Sequence, residues 1–169
     1  GLLGANQLKK GDTLKRCRLP EPEHPRHCVI DNDAAWFAGL YLAEGCRNLK
    51  GCINIAGHAK EAVRWTEIQR ITEKFGGSAT MTITGNRMLI RVYGKLLNAI
   101  IDELITGLTS RDKVFAPVCW RYSNSFLRSM LDGYLSGDGH WDKGNQRWRL
   151  GFTRNYNLER VLRTVSARL

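Results

Sequence analysis

From residue 31 onward the apolar positions follow two spacings, one near 3.6 residues and one of two. Residues 34–43 form an apolar run behind three residues suited to capping a helix, Asp31, Asn32 and Asp33, and the run stops at Gly45. This predicts a helix. Two short strands follow over 46–49 and 52–56, the second with Ile53 and Ile55 on one face. Residues 61–75 return to helical spacing, with Val63, Ile68, Ile71 and Phe75 as the apolar stripe and Gly76-Gly77 as the stop. Residues 78–84 alternate strictly, Ala79, Met81 and Ile83 against Ser78, Thr80, Thr82 and Thr84. Gly85-Asn86 turns the chain and 87–93 runs back, a hairpin; residues 95–104 are helical again.

The order helix, two strands, helix, two strands, helix then starts over. Residues 124–137 predict an apolar helix that ends toward Gly139. Strands over 140–141 and 147–153 flank Lys143-Gly144-Asn145, with Trp148, Leu150 and Phe152 alternating with Arg147, Arg149, Gly151 and Thr153. A last helix covers 158–169. An internal repeat of this kind sets the fold class as α+β, with the second copy short by a strand pair and a helix, on the order of 40 residues. Such a half-sheet is expected to leave an unpaired edge and an uncovered apolar face. Residues 1–30 differ: they hold three of the four prolines and no sustained period. They predict a turn or short strand over 8–14, then a linker through Pro20, Pro22 and Pro25. The expected organisation is therefore 1–30, a first repeat over 31–118 and a second over 119–169.

Composition narrows the class. Hydrophobic residues are 43% and charged residues 25% of the 169, as in a folded globular chain. No apolar run reaches the ~20 residues of a membrane span, and the start does not read as a signal peptide. Those features point to a soluble, intracellular (cytoplasmic) protein without a membrane partner. The five cysteines are odd in number and form no C-x-x-C pair, which suggests reduced thiols. Cys17, His24, His27 and Cys28 match no common zinc spacing, and a polar loop is the simpler reading. The net charge of +10 is unevenly spread. Basic and acidic residues balance over 1–45, and the excess falls equally on 46–118 and 119–169, where the strands lie. A basic surface there favours a polyanion.

The two helices that open the repeats end alike. One reads Phe37-Ala38-Gly39-Leu40-Tyr41-Leu42-Ala43-Glu44-Gly45, the other Leu131-Asp132-Gly133-Tyr134-Leu135-Ser136-Gly137-Asp138-Gly139. Small residues four apart, Gly39 with Ala43 and Gly133 with Gly137, share a helix face and permit close backbone approach. Glycine weakens a helix, so its presence there calls for a packing reason. Each helix delivers one acid at its C-terminal end, where the helix dipole already carries partial negative charge. Two such ends side by side, holding Glu44 and Asp138, would repel unless a hard divalent cation such as Mg2+ or Mn2+ sat between them. Next to a nucleic-acid backbone that is a phosphodiester hydrolysis site.

These paired segments resemble the two LAGLIDADG motifs of homing endonucleases, and the likeness covers about residues 31–169. The resemblance implies a pseudo-two-fold LAGLIDADG fold of αββαββα repeats, whose saddle-shaped antiparallel sheets lie in the major groove of double-stranded DNA. It implies that Glu44 and Asp138 bind the catalytic divalent metal, and that Lys113, in the segment Arg111-Asp112-Lys113-Val114-Phe115-Ala116-Pro117, assists catalysis. For Lys113 the plain alternative is a surface lysine. Asp132 departs from the motif, which usually has a small residue there. Residues 5–14 resemble the stretch of inteins that precedes an inserted endonuclease domain. A longer intein host chain, or a segment completing the second repeat, is then an expected partner. The leading expectation is a site-specific homing endonuclease. The alternatives are a catalytically decayed LAGLIDADG DNA-binding domain and an RNA-splicing maturase.

Strand parity supplies the DNA-contacting set. With Ile53, Ile55, Met81, Ile83, Ile90, Val92, Trp148, Leu150 and Phe152 toward the helices, the other face holds Asn54, Thr80, Thr82, Thr84, Arg87, Arg91, Tyr93, Arg147, Arg149 and Thr153. Arg suits guanine, Asn suits adenine, and Thr can touch a thymine methyl. Arg47, Asn48, Lys50, Lys143, Asn145 and Gln146, in the loops, complete the expected contacts.

Overall fold

The computed structural model describes residue 9 and residues 19–22, 30–48 and 51–169. The expectations for 8–14, for Pro25, for Lys50 and for the group Cys17, His24, His27 and Cys28 lie outside the described residues. Helix α1 (Asn32–Glu44) starts where the Asp31 carboxylate accepts the backbone N–H groups of Asp33 and Ala34. It runs directly into β1 (Gly45–Arg47), which turns back as β2 (Ile53–His58). A 3-10 stretch, Ala59–Arg64, leads into α2 (Trp65–Lys74). The hairpin β3 (Ser78–Thr84) and β4 (Arg87–Tyr93) and helix α3 (Lys95–Leu104) match the expected bounds. After β5 (Ile105–Thr106), β6 (Val114–Phe115) and a 3-10 turn, Pro117–Arg121, comes α4 (Asn124–Asp138). The chain closes with β7 (Gly139–Asp142), β8 (Arg147–Leu150) and α5 (Tyr156–Arg168). The fold is α+β with antiparallel sheets, as expected.

The expected helix over 61–75 is divided, and the reason is local. The His58 ring accepts the Lys60 N–H while the Glu61 carboxylate accepts the His58 N–H, a capping box that tightens the next turn. Within that three-residue period Val63 leaves the apolar stripe and stands 83% exposed. Beyond it, Ile68 and Ile71 are fully buried.

The four-stranded sheet has the order β1-β2-β4-β3. Its register pairs Ile53 with Val92 and Ile55 with Ile90, and these four, with Met88, are buried against the helical layer. Met81 shares their side and is partly buried. Ile83 shares it too, opposite Met88, but stands 46% exposed at the hairpin tip. The second sheet among the described residues that follows a motif helix has two strands, β7 and β8. Strand β8 ends at Leu150 rather than Thr153. The Gly151 N–H donates to Asp138 O, and the Tyr134 hydroxyl donates to Gly151 O, which draws the chain in against the end of α4. Trp148, Leu150 and Phe152 face α5, lining a cleft of about 230 Å³ with Glu159, Leu162 and Arg163. Covering is incomplete: Trp148 is 51% and Phe152 39% exposed.

Two buried polar side chains hold α5 in place. Arg168 donates to Asn124 Oδ1, Trp120 O and Tyr122 O at 2.6–2.8 Å. Asn155 caps the helix by accepting the Leu158 N–H and donates to Lys113 O at 2.8 Å.

Candidate active site and nucleic-acid interface

The site is built on a seam of main chain. A Cβ placed on Gly39 would lie 2.8 Å from Tyr134 N and closer still to Met130 O; one on Gly133 would lie 3.0 Å from Leu40 N and closer still to Trp36 O. Helices α1 and α4 therefore touch backbone to backbone, and only glycine fits at either crossing position. One turn on, Gly137 faces Ala43 and the Glu44 side chain. Asp132, the departure from the motif, is on the exposed side of α4 and does not meet the seam.

Glu44 and Asp138 are the last residues of α1 and α4. The glycines after them serve a purpose that a helix-stop reading does not supply. Gly45 and Gly139 adopt extended backbone, φ −90° and −92°, rather than the left-handed region. A Cβ at either would strike the preceding helical turn, at Tyr41 and Leu135. Both acids are half-buried. Burial pushes the Glu44 carboxyl above the usual carboxylate range, with the Asp138 and Glu61 charges adding to it and Arg64 and Lys113 opposing. Burial likewise raises Asp138, with Lys113 and the neighbouring Tyr134 hydroxyl working the other way.

Lys113 is no surface residue: it is 3% exposed. The Asp112 carboxylate gathers the N–H groups of Thr109 and Leu108 into a turn, and Lys113 follows it. Its ammonium reaches the end of α1, donating to Tyr41 O at 3.0 Å and Gly45 O at 2.6 Å, and lies 4.8 Å from the centre of the Tyr41 ring. Burial lowers its pKa, while the charges of Asp138 and Glu44 act to raise it. The ammonium thus offsets the negative end of α1 beside both acids. Sequence reading missed two further neighbours. Arg64, paired with Glu61 at 3.1 Å, acts electrostatically on Glu44, and Tyr134, fully buried, neighbours Asp138. Burial and the adjacent carboxylate push the Tyr134 phenol up.

Among the described residues no three His, Cys, Asp or Glu side chains form a metal cluster. Two carboxylates at one junction are nevertheless the donor set that suits Mg2+ or Mn2+, which commonly takes one or two carboxylates and completes its shell with water and substrate phosphate. The residues fit that kind of ion. Cys46, Cys52 and Cys119 are free thiols.

On the four-stranded sheet the register puts Asn54, Arg91 and Thr80 in one row and Arg87 with Thr84 in another, with Thr82 between and Tyr93 at the far end. These seven expected residues share the outer face. Arg47 does not. It pairs with Ile53 on the helix side, bonded to Asp102 at 2.6 Å and to Asn98 O at 3.0 Å, so its work is tying β1 to α3. The Asn48 carboxamide shapes the β1–β2 turn by accepting the Cys52 N–H. On the second hairpin, Arg147 and Arg149 both pair with Asp142, which also takes Asn145. Lys143 and Gln146 are exposed in that turn, and Thr153 follows the strand. No helix among the described residues is long and apolar enough to cross a membrane.

With its seam, paired acids and antiparallel sheets, the chain has the fold of a LAGLIDADG homing endonuclease. The solved structure of I-DmoI in complex with DNA and Ca superposes with a TM-score of 0.56 at 13% identity, over 80% of this chain and 71% of that one. An I-DmoI variant with its target DNA in the presence of Mn gives a TM-score of 0.55 at 14% identity, over 80% of this chain and 74% of that one. In sequence, an iron-sulfur cluster assembly SufBD family protein of Mycobacterium tuberculosis is 26% identical over 175 residues, 99% of this chain and 20% of that protein. The DNA-directed RNA polymerase subunit Rpo1C of Methanocaldococcus jannaschii is 26% identical over 120 residues, 69% of this chain and 13% of that protein. The chain thus spans a fifth or less of the length of these curated relatives. No protein-family model matches it.

Proposed function

We propose that this chain is the endonuclease part of an intein-type mobile element, a divalent-metal-dependent enzyme that cuts a long double-stranded DNA site. The observation that carries the reading is the Gly39–Gly133 seam, which delivers Glu44 and Asp138 at adjoining helix ends beside a buried lysine. In this reading residues 1–30 belong to the intein-like segment, 31–118 to the first repeat and 119–169 to the second. The intein origin draws further support from the relatives. One segment recurring inside proteins of unrelated named function is what insertion into different hosts would leave.

Glu44 and Asp138 would hold Mg2+ or Mn2+ together with the scissile phosphates. The ion supplies charge neutralisation on the phosphate and a more acidic water. Lys113 has two of its three N–H bonds committed to Tyr41 O and Gly45 O at the junction of α1 and β1, which leaves one for a phosphate oxygen or an attacking water. Asn54, Thr80, Thr82, Thr84, Arg87, Arg91 and Tyr93 read one half of the site from the major groove. Lys143, Asn145, Gln146, Arg147, Arg149 and Thr153 serve the other half, and Asn48 and Lys50 the flanking phosphates. Arg47 is withdrawn from this set.

The test is cleavage of a supercoiled plasmid library carrying candidate insertion sites, with Mg2+ and with EDTA, beside Glu44→Gln and Asp138→Asn. Site-specific product that requires the metal and is lost in both variants is expected. Specific binding without any cut strand would refute the enzymatic reading and leave a decayed DNA-binding domain. Preference for structured RNA over duplex DNA would favour a maturase.

A further inference from the structure

One row on the outer face of the four-stranded sheet is apolar where its neighbours are not. Ala56, Leu89 and Thr82 stand opposite one another across β2, β4 and β3. Leu89 lies between Met88 and Ile90, both buried on the other face, so its side chain is directed outward, half-buried. The rows on either side are polar: Asn54, Arg91 and Thr80 on one, His58, Arg87 and Thr84 on the other. Thr82 is drawn toward the first of these, with its hydroxyl 3.5 Å from Arg91 Nη1. The core has no use for a leucine on this face, and solubility would favour a polar residue.

We propose that the Ala56–Leu89–Thr82 row receives the 5-methyl group of a thymine, between guanines read by Arg91 and Arg87. The inference rests on the reading that this sheet lies in the major groove of DNA. The thymine methyl is the apolar group that groove presents, and guanine O6 and N7 suit a forked guanidinium. Spacing agrees. Successive residues on one face of a strand lie ~6.8 Å apart, and base pairs rise ~3.4 Å. For strands running along the groove each arginine row falls about two base pairs from the leucine row. The row also separates DNA from RNA, because uracil lacks the methyl group.

The experiment begins with selection of a binding site from random duplexes by the full chain in Ca2+. Each thymine of the selected site is then replaced by uracil, one at a time, and binding is measured for the parent, Leu89→Ser and Leu89→Met. At one thymine, flanked about two base pairs away on each side by G·C pairs, uracil is expected to weaken parent binding about fourfold, the worth of one buried methyl group. Leu89→Ser should erase that penalty and Leu89→Met should keep it, with melting curves showing both variants folded. A selected site with no methyl-sensitive thymine, or a penalty unchanged in folded Leu89→Ser, overturns the proposal while leaving the DNA-binding reading intact. Failure to select any duplex overturns both.

Discussion

Gly39→Ala sets two physical effects against each other. Alanine is the better helix former by ~1 kcal/mol, so local propensity predicts a more stable protein. The packing predicts the reverse. The added methyl would meet Tyr134 N at 2.8 Å and the Met130 carbonyl carbon at 2.9 Å, main-chain atoms that cannot swing aside as a side chain can. Ordinary contact needs ~3.5 Å or more, so α1 and α4 would have to part by on the order of 1 Å. Parting loosens Phe37, Leu40, Met130 and Tyr134, all of them buried along the same pair of helices. Inserting a methyl group into a close-packed interior costs ~1–3 kcal/mol, and here the obstruction is backbone, at the severe end of that range. Net of the helical gain, a loss of about 2 kcal/mol is expected, a fall in Tm of about 4–8 °C for a chain of this size. Urea and thermal unfolding followed by circular dichroism would read it. A Gly39→Ala protein as stable as the parent, or more so, would refute the backbone seam and with it the close approach of the two helices.

The seam makes a reciprocal prediction. Gly137→Ala should destabilise because its methyl would meet the Ala43 Cβ at 2.6 Å, and adding Ala43→Gly should restore part of the loss; additive losses in the double variant would count against facing positions. Folding holds both acids above their ordinary pKa, so the stability they contribute is complete below the unfolded-state pKa and is lost as pH rises through the raised, folded value. Glu44→Gln and Asp138→Asn should therefore each stabilise the metal-free protein at neutral pH, because each removes a half-buried charge at a helix C-terminus, whose helix-end part alone is ~0.3–1 kcal/mol, with the gain fading near about pH 3. A gain that is absent at neutral pH would show that the helix ends carry no such strain. Arg168→Met should cost about 2–4 kcal/mol in urea unfolding, since it leaves Trp120 O and Tyr122 O without their donor; a change under about 0.5 kcal/mol would refute that role.

Legibility followed period. The hairpin over 78–93 and the helix over 95–104 were readable to the residue, because each keeps one spacing throughout. The paired motifs were readable because glycine at helical spacing is costly without a reason. The resemblance they carried gave the fold. Val63 failed because a capping box imposed a three-residue turn on a sequence that also suits a helix. The two-residue strands β5 and β6 have no period to read. Gly45 and Gly139 were located by sequence, yet their cause, close approach to the turn before them, needs coordinates. Arg47 illustrates a wider limit: expected among the loop contacts, it lies in β1, and its register with Ile53 turns it to the helix side. Lys113, Asn155 and Arg168 look like surface residues in a string of letters. Their burial follows from carbonyls at helix ends and turns that no local pattern announces.

The hairpin β7–β8 carries Trp141 and Trp148 edge to face, ring centres 5.5 Å apart and both well exposed. Two indoles so close couple their electronic transitions. The hairpin therefore has a circular dichroism signature of its own. The remaining three tryptophans, Trp36, Trp65 and Trp120, are partly sheltered. Emission on the red side of the protein's fluorescence thus originates largely in this pair. Because the pair lies on the side of the hairpin that faces α5, opposite Arg147 and Arg149, a polypeptide that covers this side would be reported without a label, as a blue shift on entering an apolar cover.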